Sequence, residues 1–341
     1  MARLLTCGFE MGTYDEMNGP KGVINPDIST VYKRTGDYGL VLTRSACYIG
    51  HAFEANVSDL YFRTAVQFTG LGIGVDANFL ALQDDLGDEL ITLFFNSGTQ
   101  TLDIKRGGVT LTAGGFAISA DRWYVMEGHV VINASGSVTV KLNGITHVSY
   151  TGDTDTGNSG VRSILYTGSS TATQADYIAI DDIAYNDTQG SYQNSWIGLG
   201  GIYLLKPNGE GFTQDFTPSA GTVHYTLVDD VPANITDWVQ ADTGGQIELF
   251  EVEDTPTYIT TVDLVEVVGQ AAVVESGSNN LRGIMRQGTV NYSGTVSTTV
   301  VSVADSYAVV KSEPFYTQPS SGTAWGTADV NALQAGWEIP S

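Results

Sequence analysis

The amino-acid sequence predicts an all-β protein, and three observations carry that prediction. Trp123 to Ile132 and Gly136 to Leu142 alternate apolar and polar side chains around an Ala134-Ser135-Gly136 turn, and Asn143-Gly144 turns the chain again, the pattern of half-buried antiparallel strands. Gly makes up 40 of the 341 residues, and only 16% are charged, a composition that suits short strands joined by tight turns. No segment sustains an apolar period of 3.6, so long helices are not expected.

The elements follow in order. Leu4 to Glu10 reads as an opening strand, followed by a Gly/Pro/Asn-rich loop from Met11 to Ser29. Alternating runs then cover Tyr38 to Leu42, Leu60 to Phe68, Asn78 to Gln83, Leu90 to Phe95 and Thr101 to Arg106, separated by turns such as Asn96-Ser97-Gly98 and Gly107-Gly108. After the Trp123 hairpin, Val161 to Tyr166 and Tyr177 to Tyr185 complete the first domain.

A length of 341 residues suggests two domains. Their expected bounds are 1–199 and 223–341, with 200–222 a linker or arm rich in Gly and Pro. Strands are expected in the second domain at Gln246 to Val252, Tyr258 to Glu266, Leu281 to Met285, Ser297 to Val303 and Tyr307 to Val310. Near the C-terminus, Thr327 is placed to cap a short helix and Gly336 to end it.

The order Trp123-Tyr124, strand, Ser135-Gly136, strand, Asn143-Gly144, together with a closing strand that contains Asp181-Asp182-Ile183, resembles the concanavalin A-like or laminin-G-like jelly roll. The resemblance implies a two-sheet sandwich over roughly residues 1–200, followed by a smaller β-sandwich domain. Gly190 to Gly198 (Gly-Ser-Tyr-Gln-Asn-Ser-Trp-Ile-Gly) and Leu205 to Gly209 (Leu-Lys-Pro-Asn-Gly) resemble segments of tailed-bacteriophage virion proteins. That resemblance implies a virion structural protein on the particle exterior, a capsid decoration, collar or tail-associated subunit, with itself and other virion proteins as partners.

Charge narrows the partners. With 15 Lys and Arg against 38 Asp and Glu, the net charge is −23, and the basic residues are scattered singly, so neither nucleic acid nor an anionic membrane is an expected partner. Met1 to Gly8 carries one Arg and a single Leu4-Leu5 pair, which predicts no signal peptide, and no run approaches the roughly 18 apolar residues of a membrane span. Assembly in the host cytoplasm and residence in the virion are the expectation. Cys7 and Cys47 are expected in strands of the first domain, either as buried thiols or as a bridge.

Catalytic signatures are missing from the sequence. Sugar-cleaving jelly rolls need two carboxylates flanking the scissile bond, often as Glu-x-Asp-x-Glu on one strand; the nearest run, Phe250 to Asp254, lacks the spacing. The four histidines, His51, His129, His147 and His224, show no short metal-ligand spacing, and no nucleophile elbow or phosphate loop appears. The chain is therefore expected not to be an enzyme and to need no cofactor. Calcium, which takes oxygen ligands, has candidates in Asp84, Asp85, Asp88, Asp153, Asp155, Asp181 and Asp182. Trp196, Trp238, Trp325 and Trp337 are candidates for an oligomer interface or for stacking on sugars. The alternative function is a lectin-like module that binds host or environmental glycans.

Overall fold

A computed structural model describes residues 3–43, 46–70, 76–157, 160–168, 177–273, 280–295, 298–300 and 307–341. The chain divides into two compact units, Met1–Tyr203 and Leu204–Ser341.

The strands of the first unit are, in order, β1 (Arg3–Cys7), β2 (Asp27–Ser29), β3 (Gly39–Leu42), β4 (Tyr48–Val57), β5 (Asp59–Phe68), β6 (Ala77–Gln83) and β7 (Glu89–Asn96). They continue with β8 (Thr101–Arg106), β9 (Val109–Thr112), β10 (Trp123–Val131), β11 (Gly136–Leu142), β12 (Ile145–Gly152), β13 (Val161–Thr167) and β14 (Ile178–Asp187). One antiparallel sheet has the order β12-β11-β10-β5-β14-β3-β2, with β1 also pairing on β14; the other runs β4-β13-β6-β7-β8-β9. First and last strands pair, Leu5 opposite Tyr185 and Cys7 opposite Ile183. The chain is all-β, and this unit is a jelly-roll sandwich.

Period-2 alternation builds the core between the sheets. In β11, Val138, Val140 and Leu142 are buried while Ser137, Thr139 and Lys141 keep partial exposure on the opposite face. Phe62, Met126, Val130 and Ile180 join them from neighbouring strands. Each such side chain contributes about 1.5–3 kcal/mol through removal of apolar surface from water. Gly128 lies opposite Phe62, and a Cβ there would collide with the Phe62 ring, so glycine lets β10 pass. Cys7 and Cys47 are both buried thiols with no disulfide between them; the Cys7 thiol donates to Glu16 Oε2 at 3.5 Å.

The second unit contains β15 (Pro207–Gln214), β16 (Thr217–Pro218), β17 (Val239–Gln240), β18 (Ile247–Val252), β19 (Val268–Ala271), β20 (Asn280–Gln287), β21 (Val290–Ser293), β22 (Thr298–Thr299), β23 (Ala308–Lys311), the one-turn helix α1 (Thr327–Val330) and β24 (Leu333–Glu338). Its main sheet has the order β15-β18-β24-β20-β21, with β22 on β20; β16-β17 and β19-β23 are small ribbons. Val267, Met285, Trp325, Val330 and Leu333 form its core.

Four sequence expectations are corrected here. Residues 200–222 are not simply a linker, because Pro207 to Gln214 forms an edge strand on β18, a place where a sheet tolerates proline and glycine. Gly336 does not end a helix: it sits mid-strand in β24 between β18 and β20, where a Cβ would collide with the Glu248 carbonyl oxygen. Gly326, not Thr327, precedes the single helical turn, and its N–H donates to the Asp329 carboxylate at 3.0 Å. Tyr258 to Glu266 forms no strand and touches its neighbours through isolated bridges, Val262 with Trp325 and Val265 with Phe315. Of the expected strand Ser297 to Val303, Thr298–Thr299 is β22; Ser297 and residues 301–303 lie outside the described residues.

Candidate functional site: an aromatic row on the larger sheet

Cross-strand register brings together residues that are far apart in the sequence. On β5, β10, β11 and β12, Tyr61 lies opposite His129, His129 opposite Thr139, and Thr139 opposite Ser149. Their neighbours Leu60, Phe62, Val130, Val138 and Val140 point into the core, so this row occupies the opposite, outward face. Three interstrand steps of about 4.8 Å make the row roughly 15 Å long.

The row is chemically graded. The rings of Tyr61 and His129 stack at 4.0 Å between centroids with 3° between planes. His129 Nε2 lies 2.8 Å from Asp59 Oδ1, and the Thr139 and Ser149 hydroxyls pair at 3.2 Å. Burial and the Asp59 carboxylate push the Tyr61 hydroxyl above its ordinary pKa, so it remains a proton donor at neutral pH.

Trp196 forms a wall beside this row. Its ring meets Tyr61 edge-on at 5.5 Å and His129 at 6.0 Å, and Lys141 Nζ sits 3.5 Å from the centroid of its ring system. Trp196 reaches the sheet from the segment after β14, which is tied down at several points. Arg3 Nη2 donates to Gln193 Oε1 at 2.9 Å, Asn186 Nδ2 to the Ser195 carbonyl at 3.1 Å, and the Gly198 N–H to Glu127 Oε1 at 2.7 Å. Further along, the Arg34 guanidinium donates to the Leu199 carbonyl at 2.8 Å, and the Ile202 N–H donates to Asp182 Oδ1 at 2.7 Å. A ring held this way is preorganised and loses little freedom when a ligand arrives.

The acidic candidates serve the fold. Asp181 and Asp182 are fully buried at an irregularity of β14. Asp181 accepts backbone N–H bonds from Arg34, Thr35 and Asp182, and Asp182 pairs with Arg34 at 2.6 Å. Asp84 closes its own turn by accepting from the N–H groups of Leu86 and Asp88, while Asp85 and Asp88 are exposed. Asp153 pairs with Arg106 at 2.7 Å, and Asp155 accepts from the Gly157 N–H at 2.8 Å. Among the described residues, no group of three or more acidic, His or Cys side chains is gathered as a metal ion would need. The calcium candidates are therefore spread over separate turns and bonds.

The four candidate tryptophans separate as well. Trp196 belongs to the aromatic row, and Trp238 is 38% exposed beside the β16-β17 ribbon. The expectation of an interface role is corrected for Trp325, which is core: it is 4% exposed, and its indole N–H donates to the Phe315 carbonyl at 2.7 Å. Trp337 is half-buried in β24 and packs against the same core. Tyr61, Asp59 and Lys141 were not singled out by sequence reasoning. Their only signal was alternation, which says which face a residue takes and not what lies opposite it.

No family model and no curated protein matches the sequence. Solved structures do match, over about half of the chain. The cellulose-induced protein Cip1 is 15% identical with a TM-score of 0.43, over 57% of this chain and 100% of that one. The binding domain of Paraclostridial Mosquitocidal Protein 1 is 13% identical with a TM-score of 0.40, over 54% of this chain and 48% of that one. An endo-β-1,4-glucuronan lyase from the fungus Trichoderma reesei is 12% identical with a TM-score of 0.37, over 50% of this chain and 91% of that one. These are similar jelly-roll, lectin-like β-sandwich proteins, and the bacteriophage part of the sequence resemblance finds no counterpart in them. They correct the expectation that the chain is not an enzyme: alginate lyase and sialidases are among the matches, so the fold gives no ground for excluding catalysis. At these identities the likeness is one of fold and transfers no activity.

Proposed function

We propose that this chain is a glycan-binding protein and that the row Tyr61, His129, Thr139 and Ser149, walled by Trp196, is where the saccharide lies. The observation that carries the reading is the meeting of a fixed indole with a row of ring and hydroxyl donors on a solvent-facing sheet. A pyranose offers the complementary chemistry, since its axial C–H groups pack on an aromatic face and its hydroxyls need donors and acceptors at fixed spacing. His129, Thr139 and Ser149 supply those polar groups in one line, with Asp59 beside it. The test is a glycan array with the full chain, followed by calorimetric titration of the best hit. Trp196→Ala is expected to weaken binding by about tenfold or more, equivalent to ~1.4 kcal/mol. Unchanged affinity in both Trp196→Ala and Tyr61→Ala would overturn the site.

A second reading is a subunit on a virion exterior. It is supported by the Gly190 to Gly198 and Leu205 to Gly209 resemblance and by a net charge of −23, which suits a solvent-facing coat. Homo-oligomerisation belongs to this reading. Native mass spectrometry of the full chain tests it: a defined oligomer supports it, and a strict monomer at micromolar concentration counts against it.

A further inference from the structure

The geometry points to a carboxylated sugar, a uronic or sialic acid residue, as the ligand class of the aromatic row, with Lys141 as the residue that reads the carboxylate. This inference rests on the glycan-binding reading. Lys141 projects from β11 on the same outward face as Thr139, and its ammonium lies 3.5 Å from the centroid of Trp196. In contrast to Lys21, Lys33, Arg34, Arg106 and Arg282, each within 4.0 Å of a carboxylate, Lys141 forms no ion pair among the described residues. Its cross-strand neighbour Glu127 is engaged elsewhere, with Oε1 accepting the Gly198 N–H at 2.7 Å. An ammonium held on an indole face beside a sugar-sized row is a cation whose preferred partner, an anion, has to come from outside the row.

Two consequences follow from the electrostatics. A ligand carboxylate reaching Lys141 gains charge-assisted hydrogen bonds and draws the ammonium off the indole, which uncovers the aromatic face for the sugar ring. Asp59, paired with His129 at 2.8 Å, lies off the other side of the row and repels an anion there, so the carboxylate binds at the Trp196 side. The Glu127 carboxylate, across the strand from Lys141, opposes an anionic ligand locally, and the rest of the net charge of −23 acts at long range. Separated charges are screened beyond a Debye length of about 8 Å at physiological salt, while a contact pair is screened far less.

The experiment titrates the full chain with matched pairs of probes: oligogalacturonate, oligomannuronate and sialyllactose, each against its own carboxyl methyl ester. The expected result is that at least one acid binds about tenfold tighter than its ester, that Lys141→Met brings the ratio to near one, and that Lys141→Arg preserves it. Met keeps the apolar stem over Trp196, so the variant removes charge with little loss of packing. Esters that bind as tightly as their acids overturn this inference and leave the glycan reading standing, as does a preference that survives in Lys141→Met. If neither form of any probe binds while neutral glycans do, the inference alone fails; if no glycan binds at all, both readings fail.

Discussion

His147 shows how much a single buried side chain can depend on its proton. The Leu102 N–H donates to its Nε2 at 3.1 Å, which fixes the tautomer with hydrogen on Nδ1, and Nδ1 is buried without a partner among the described residues. Phe116 covers the ring edge-on at 4.6 Å, and the charge of Asp103 favours the imidazolium. Burial dominates and lowers the pKa below 6.5. The folded state thus binds fewer protons than the unfolded one, and the associated stability, complete above about pH 6.5, is lost as pH falls through that value and below. Urea midpoints at pH 7 and pH 5 should show this loss in the wild type and a smaller one in His147→Gln, which keeps an acceptor for Leu102; parallel losses would absolve His147. The sequence showed His147 in a strand, but its acceptor role could not be read. Leu102 is 45 positions away, and only the packing of β12 near β8 joins them. Tyr61 and His129 were opaque for the same reason, since a row across four strands has no signature along any one of them.

At the scale of elements, β14 acts as a clamp on both ends of its unit. Asp182 takes a left-handed backbone, φ 52°, where β14 slips register against β5 between Asp181 and Ala184. This places its carboxylate against Arg34, Thr35 and Ile202, while Glu10 accepts the N–H of Asp37 at 2.7 Å. Burial is the largest cause that pushes Glu10 up to about 8, and burial followed by the charge of Asp182 does the same to Asp181. Both values are raised, so the folded state holds protons that the unfolded chain releases; the contribution is complete below about pH 4 and is lost as pH rises through 8. Stability should therefore drop between pH 6 and pH 9, and by less in Glu10→Gln. Equal drops in the two proteins would remove Glu10 from the account. The hairpins β10-β11 and β11-β12, the second turned by Asn143-Gly144, were legible, because alternation and turn chemistry are local. The strand β15 was not, because an edge strand can carry Pro207, Gly209 and Gly211, the residues that otherwise mark a loop.

At the scale of the whole molecule, the described residues form two cores, one in each unit. Tyr166, Tyr185 and Phe62 belong to the first cluster, whereas Trp325, Met285 and Leu333 belong to the second, and no residue is common to both. A two-domain division could be argued from length alone, but the place of Trp325 could not: as a late tryptophan among Gly and Ser it resembled an exposed anchor, and it is instead 4% exposed. Removing it leaves a cavity and takes one of two hydrogen bonds from the Phe315 carbonyl, which still accepts the Val265 N–H at 3.1 Å, so Trp325→Ala should cost about 3–5 kcal/mol. Because its contacts lie within Leu204–Ser341, the loss should stay there. Hydrogen–deuterium exchange on the full chain measures this directly: in Trp325→Ala, amides of β20 and β24 should exchange faster while those of β5 and β10 keep their wild-type protection. Equal acceleration in β5 and β10 would mean that the two cores unfold as one cooperative unit, a coupling that separate apolar clusters do not supply.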